Sequence, residues 1–170
     1  MRPAPPFDEL MAATSTSAVH LEMRDMYEPH DPEYLRWLAG EPIDWVAGHK
    51  WWYDLVRVAV GRGVQMRRAR IVSEPLTDYI RSEYECAGSM NVPAGEELRW
   101  LPRRQATDIA LPGNDFWVFD DKLVCVNHFT GNGDMVDPEV TEEPAVVKLC
   151  ASAFEAVWER AIPHEQYQPS

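Results

Sequence analysis

The chain has 170 residues, 45% hydrophobic, 26% charged and 11% aromatic, a balance that excludes a disordered or low-complexity chain and fits one domain. Its 28 Asp and Glu against 16 Lys and Arg give a formal charge of −12. That charge argues against direct nucleic-acid binding, which needs a net basic footprint, and no apolar run approaches the ~18 residues of a membrane span.

Residues 1–6, with three prolines, read as a disordered or extended arm, and the acidic Asp8-Glu9 that follows is unlike a signal-peptide core. A helix is expected to start near Glu9 under an Asp8 cap, with Leu10, Met11 and Ala13 inward. From Ser17 to Asp25 the alternation of Val19, Leu21 and Met23 sets a short strand against a continued helix. Asp31-Pro32-Glu33 has the grammar of an N-cap with proline in the first turn, opening a helix that buries Tyr34, Leu35 and Leu38 and stops at Gly40. Trp52, Leu55, Val56, Ala59 and Val60 recur at helical spacing, and Gly61 and Gly63 end that helix. A β-prone run from Val64 to Val72 follows, broken by Pro75, and Leu76, Tyr79, Ile80 and Tyr84 form another helical stripe. Leu98–Leu101 reads as a short strand ended by Pro102. Phe116–Phe119 and Leu123–Val126 flank the polar turn Asp120-Asp121-Lys122 as a hairpin. Gly131–Asp134 has turn chemistry. The last helix runs from about Glu143 to Ala161, with Val146, Leu149, Cys150, Ala153, Phe154, Val157 and Trp158 on one face and Pro163 as its stop.

This order, helix–glycine–strand–helix, predicts an α/β fold: a single domain over residues 7–163 with a mixed sheet flanked by helices, an N-terminal helical extension, and an exposed tail over residues 164–170. The cysteines Cys86, Cys125 and Cys150 are odd in number and lack metal-ligand spacing, which fits reduced thiols and a cytoplasmic setting.

The negative charge is unevenly spread. From Lys50 to Arg104 there are ten basic and seven acidic residues, whereas both flanks are strongly acidic. Within that segment a strand over Arg67–Arg70 places Arg68 and Arg70 on one face with Val64 and Met66, and Arg67 on the other with Ile71. Arg99 and Arg103 sit near a second strand end. The four arginines Arg68, Arg70, Arg99 and Arg103 are therefore candidates for an anion pocket, and salt bridging to Glu74, Asp78, Glu96 or Glu97 is the plainer use. His20 and Glu22 are the candidate acid/base pair of that reading. His20, Glu22 and Asp25 do not supply the convergent set a zinc ion needs, so neither a metal nor a cofactor is expected. Asp120 and Asp121 are read as turn residues rather than an acid/base dyad, since neighbours on a strand face opposite ways. Of the seven tryptophans, Trp51 and Trp52 are adjacent on one helix and cannot both face inward, which makes them candidates for a partner-binding surface.

Several stretches together resemble an uncharacterised actinobacterial family. They are Ser17–Asp25, Val72-Ser73-Glu74-Pro75, Gly95–Arg103, Asp115–Asp120 and Ala153–Trp158. The resemblance implies no chemistry; members are found near helix-turn-helix regulators and short partner proteins, which implies a regulatory or accessory role. Ala59–Val64 leading from helix to strand, the Asp-Asp-Lys turn and the closing Phe- and Trp-bearing helix are faintly similar to half of a phospholipase D-like fold. That resemblance implies a His-x-Lys pair ahead of Asp120, and here Gly113 and Asp115 stand in those two places, so the nucleophile and its phosphate clamp are missing. The expected function is a non-catalytic, cytoplasmic interaction or regulatory protein acting with a helix-turn-helix regulator or a short accessory protein. The competing expectation is a small-molecule enzyme or ligand sensor with an arginine-lined anion pocket.

Overall fold

The alternation and glycine punctuation of the chain become one mixed sheet with helices on both faces in the computed structural model, which describes residues 1–169. The strands are β1 (Arg2–Pro3), β2 (Ser17–Glu22), β3 (Gln65–Val72), β4 (Glu97–Pro102), β5 (Asp115–Phe119), β6 (Leu123–Phe129), β7 (Met135–Thr141) and β8 (Ile162–Pro163). Among the described residues they form a single sheet in the order β1-β7-β6-β5-β2-β3-β4-β8. β2, β3 and β4 run parallel, and every other pairing is antiparallel. The helices are α1 (Phe7–Ala13), α2 (Pro32–Leu38), α3 (Trp45–Gly48), α4 (Lys50–Gly61), α5 (Asp78–Cys86), α6 (Val92–Ala94) and α7 (Pro144–Arg160). Each parallel connection carries helix, as crossovers between parallel strands require.

The two faces of the sheet differ in kind. On one, α7 lays Cys150, Ala153, Phe154 and Val157 over Val19, Leu21, Ala69, Ile71, Phe116 and Val118 in a continuous apolar core. On the other, α1 and α4 cover Ala18, Met66, Trp117 and Phe119, while α5 covers Val72, Leu98 and Trp100. Between these two patches the sheet carries polar side chains.

Helix starts follow local chemistry. Asp31 accepts from the Tyr34 amide at 2.8 Å and Thr77 caps α5 through the Ile80 amide, the usual satisfaction of orphan N–H groups. α1 departs from expectation: it begins at Phe7 behind Pro6 with no side-chain cap. Between α5 and α6, Ala87–Asn91 form a π-helical turn, and the run ends at Gly95, whose φ of +106° turns the chain into β4.

Other expectations give way. Leu35, Leu38 and Leu149 are 45–48% exposed; α2 buries none of its residues, meeting the body through Tyr34 against Tyr79. The expected arm pairs Arg2 and Pro3 with Val140 and Glu139, and the Ala4 amide donates to Pro138. The expected exposed tail is pinned as well. His164 and Tyr167 are buried, the Tyr167 ring stacks on Trp100 and its hydroxyl donates to Glu74, and Trp100 Nε1 donates to His164 Nδ1 at 3.1 Å. Both ends are held because a strand edge is available to each.

Candidate functional site

Strand register builds the site. β2 and β3 lie in parallel register with His20 beside Arg68 and Glu22 beside Arg70, and period-2 alternation puts all four on the face opposite α7. Trp117 of β5 pairs with His20 from the other side, and its ring stacks on the imidazole at 4.1 Å. Trp100 of β4 pairs with Arg70 and lies under its guanidinium. The result is a buried polar block framed by indoles: His20, Glu22, Arg68 and Arg70 are each 8% exposed or less.

The charges in this block are paired. Arg68 donates to Glu22 and to Glu96, both at 2.7 Å, and its guanidinium sits over the Trp52 and Trp117 rings. Glu96 is drawn in by the Gly95 turn and also accepts from Asn91 Nδ2 at 2.6 Å. Asn91 belongs to the π-helical turn, an irregularity common at functional sites. Arg70 donates to Glu83 of α5, and its Nε lies 2.8 Å from Glu22 Oε2 without the alignment of a hydrogen bond. Arg70 Nη1 is buried with no partner, and His20 Nδ1, 3.5 Å from Glu22 Oε1, is buried without a hydrogen bond; such unsatisfied groups are scarce in folded proteins because each carries a desolvation cost. Burial, and then Arg68 and Arg70, hold the His20 imidazole well below its ordinary pKa, so it is neutral. With Asn127 Nδ2 3.3 Å from His20 Nε2, the proton belongs on Nδ1 when that amide donates.

Over this block lies a cavity of about 380 Å³. The polar floor faces walls from Phe7, Trp52, Tyr79, Met90, Trp117 and Phe129, with Glu28, Asp31, His49 and Trp51 at the outer edge. Tyr27 closes one side; its hydroxyl donates to Asp115, which also accepts from the Met23 amide at 3.0 Å. Burial raises the Asp115 carboxyl to about 6, Tyr27 opposing and Glu22 adding to the shift. Asp31, Glu33 and His49 bring one ligand atom each within 4.8 Å of one another, so they could hold a metal, although Asp31 is already engaged as the α2 cap.

The sequence-predicted residues separate into groups. His20, Glu22, Arg68 and Arg70 converge, and Trp51 and Trp52 border the same cavity. Arg99 does not join them. One residue from Trp100 on β4, it faces α7, where it donates to the Trp158 carbonyl and sits 4.3 Å over that indole. Arg103 lies beyond the strand end and fastens the loop after β2, donating to the Met23 and Ile71 carbonyls and to Asp25. Asp25 is occupied by Ser73 and Arg103, away from His20 and Glu22. The four-arginine pocket is thus a two-arginine floor, and its guanidinium charge is answered by Glu22, Glu83 and Glu96. Sequence reasoning found Glu96 only as one of several salt-bridge partners. It missed Asn91 and the Tyr27–Asp115 contact, which depend on a turn and a loop that leave no periodic signal, and Asn127, which lies on β6 just past the expected end of the hairpin strand at Val126.

No helix is long and apolar enough to cross a membrane among the described residues. The sequence profile described as "Domain of unknown function (DUF6879)" matches residues 5–169. No curated protein matches the chain. Among solved structures, one described as that of TrmBL2, an archaeal chromatin protein with a novel mode of DNA binding, aligns at a TM-score of 0.49 with 14% identity. The alignment covers 92% of this chain and 49% of that one, so the chain spans about half the length of this match.

Proposed function

The chain belongs to the DUF6879 family of domains of unknown function, and from that premise we propose that it is a small-molecule-binding domain: a ligand sensor whose site is the cavity over His20, Glu22, Arg68 and Arg70. The observation that carries this reading is a cavity of about 380 Å³ floored by a buried charged network in which Arg70 Nη1 and His20 Nδ1 make no hydrogen bond. Buried ion pairs are no gain in stability over apolar packing, and ligand sites combine apolar walls with a few convergent polar groups. A regulatory accessory role fits the same geometry. Trp51 is 61% exposed at the cavity edge beside half-buried Trp52, so a bound ligand alters the surface that a regulator or accessory protein would meet.

Small aromatic fragments, screened by ligand-observed NMR, bind the native chain and lose binding on Asn127→Phe, which pushes a ring into the cavity from β6. Fragment binding indifferent to that change, with the fold retained by circular dichroism, overturns the reading.

A further inference from the structure

The polar groups of the cavity are graded with depth. At the floor Arg70 Nη1 is a donor without an acceptor, while His20 Nδ1 and Glu22 Oε2 make no hydrogen bond but lie 3.5 Å from Glu22 Oε1 and 2.8 Å from Arg70 Nε respectively, all on residues at least nine-tenths buried. At the outer edge stand the carboxylates of exposed Glu28 and half-exposed Asp31, beside the exposed Trp51 ring. The inner charges do not welcome an anion. Arg68 and Arg70 face Glu22, Glu83 and Glu96 at hydrogen-bond or salt-bridge distance, three carboxylates against two guanidinium groups. His20 is neutral and adds nothing to the positive side.

Resting on the ligand-site reading above, we infer that the cavity takes an organic amine: an ammonium at the acidic, aromatic edge, an apolar body between the rings, and an uncharged acceptor oxygen toward Arg70. An ammonium at the edge gains from Glu28 and Asp31 and from ring faces, which attract cations. A neutral oxygen at depth satisfies Arg70 Nη1 without adding charge beside Glu22 and Glu83. A carboxylate ligand meets the net negative surroundings at either end. The sequence reading set an anion pocket against salt bridging to Glu74, Asp78, Glu96 or Glu97; of these the fold brings Glu96 to Arg68, and it adds Glu22 and Glu83.

Four probes of matched size test this by calorimetry at pH 7: tyramine, 2-phenylethylamine (no oxygen), 4-ethylphenol (no charge) and 3-(4-hydroxyphenyl)propanoate (opposite charge). Tyramine is expected to bind tightest, with the propanoate at least about tenfold weaker, the discrimination a close unit charge gives at a partly screened site. Glu28→Gln, an exposed change that leaves the fold intact, is expected to narrow the tyramine-to-propanoate ratio about twofold to threefold. Propanoate binding equal to or tighter than tyramine overturns the inference and leaves the cavity as a ligand site. Silence from all four probes, while aromatic fragments still bind the native chain and still lose binding on Asn127→Phe, also overturns the amine. Loss of fragment binding as well removes the ligand site itself.

Discussion

Asp115 shows how a single buried carboxyl ties the site to pH. It sits at the start of β5, 3% exposed, where Tyr27 and the Met23 amide donate to it. Burial lifts it to about 6, against about 3.9 for an unfolded Asp. The folded chain therefore holds this proton more tightly than the unfolded one. The associated stability is fully present below about pH 4 and is lost as pH rises through 6, an effect on the order of 2–3 kcal/mol. Asp115→Asn mimics the protonated form. Urea denaturation of native and variant chains at several pH values is expected to give a stability difference favouring Asn that grows from pH 4 to pH 7. A difference that stays constant across that range contradicts the assignment. His20 acts in the opposite direction, since its imidazole is held neutral by burial and by Arg68 and Arg70. Protons that bind the unfolded histidine below about pH 6.5 draw stability away from the folded state.

At the scale of elements, the β5–β6 hairpin does more than join two strands. Asp120 and Asp121 both adopt positive φ, 52° and 53°, a left-handed conformation that Asp tolerates better than most residues, within the three-residue connection between the paired Phe119 and Leu123. The Asp120 carboxylate then accepts from the amides of Ser15, Thr16 and Ser17 and from the Thr16 hydroxyl, fixing where β2 enters the sheet. Burial works against ionisation there, but these hydrogen bonds hold the carboxyl below the usual range. Asp120→Ala removes the acceptor for that whole cluster and is expected to lower stability by about 1–3 kcal/mol. Asp121→Ala, which no such cluster depends on, is expected to cost less. Equal losses in thermal or urea unfolding would show that the turn conformation, not the acceptor, carries the effect. The hairpin was legible in the sequence, as were β3, α4 and α7, because each repeats one period between clear breakers. β7 was not: Met135–Thr141 carries Asp137, Pro138 and Glu139, and it survives as a strand near the sheet margin, where proline is tolerated. The parity of Arg68 and Arg70 was legible too. What brings Glu96 to Arg68 is the π-helical turn followed by Gly95, and neither has a hydrophobic period. Arg99 was misplaced because its side depends on the β3–β4 register, which pairs it with Ala69 on the α7 face.

For the whole molecule the sheet separates a stable half from an adaptable one. On the α7 side, Phe116, Phe154 and Val157 are 1% exposed or less and the apolar core is unbroken. On the opposite side, the polar block interrupts the apolar patches, and the outer wall of the cavity comes from the 23–31 loop, His49 and the start of α4, with α2 following directly on Asp31. That wall is lightly attached: the loop depends on Asp115, Ser73 and Arg103 for its hydrogen bonds, and α2, into which it runs, buries no residue. Regions with few buried apolar contacts open at low free energy, and elements that admit ligands belong to that class. Amide hydrogen exchange is therefore expected to be slowest in β2, β3 and β5, whose neighbours cover both faces, and orders of magnitude faster across residues 28–40. A ligand in the cavity is expected to slow exchange in residues 23–34 and 49–52 while leaving α7 unchanged, since α7 lies across the sheet from it. Protection of residues 28–34 equal to that of β3 in the free chain would contradict this division, because the loop that walls the cavity and the helix it leads into would then open only with the whole fold.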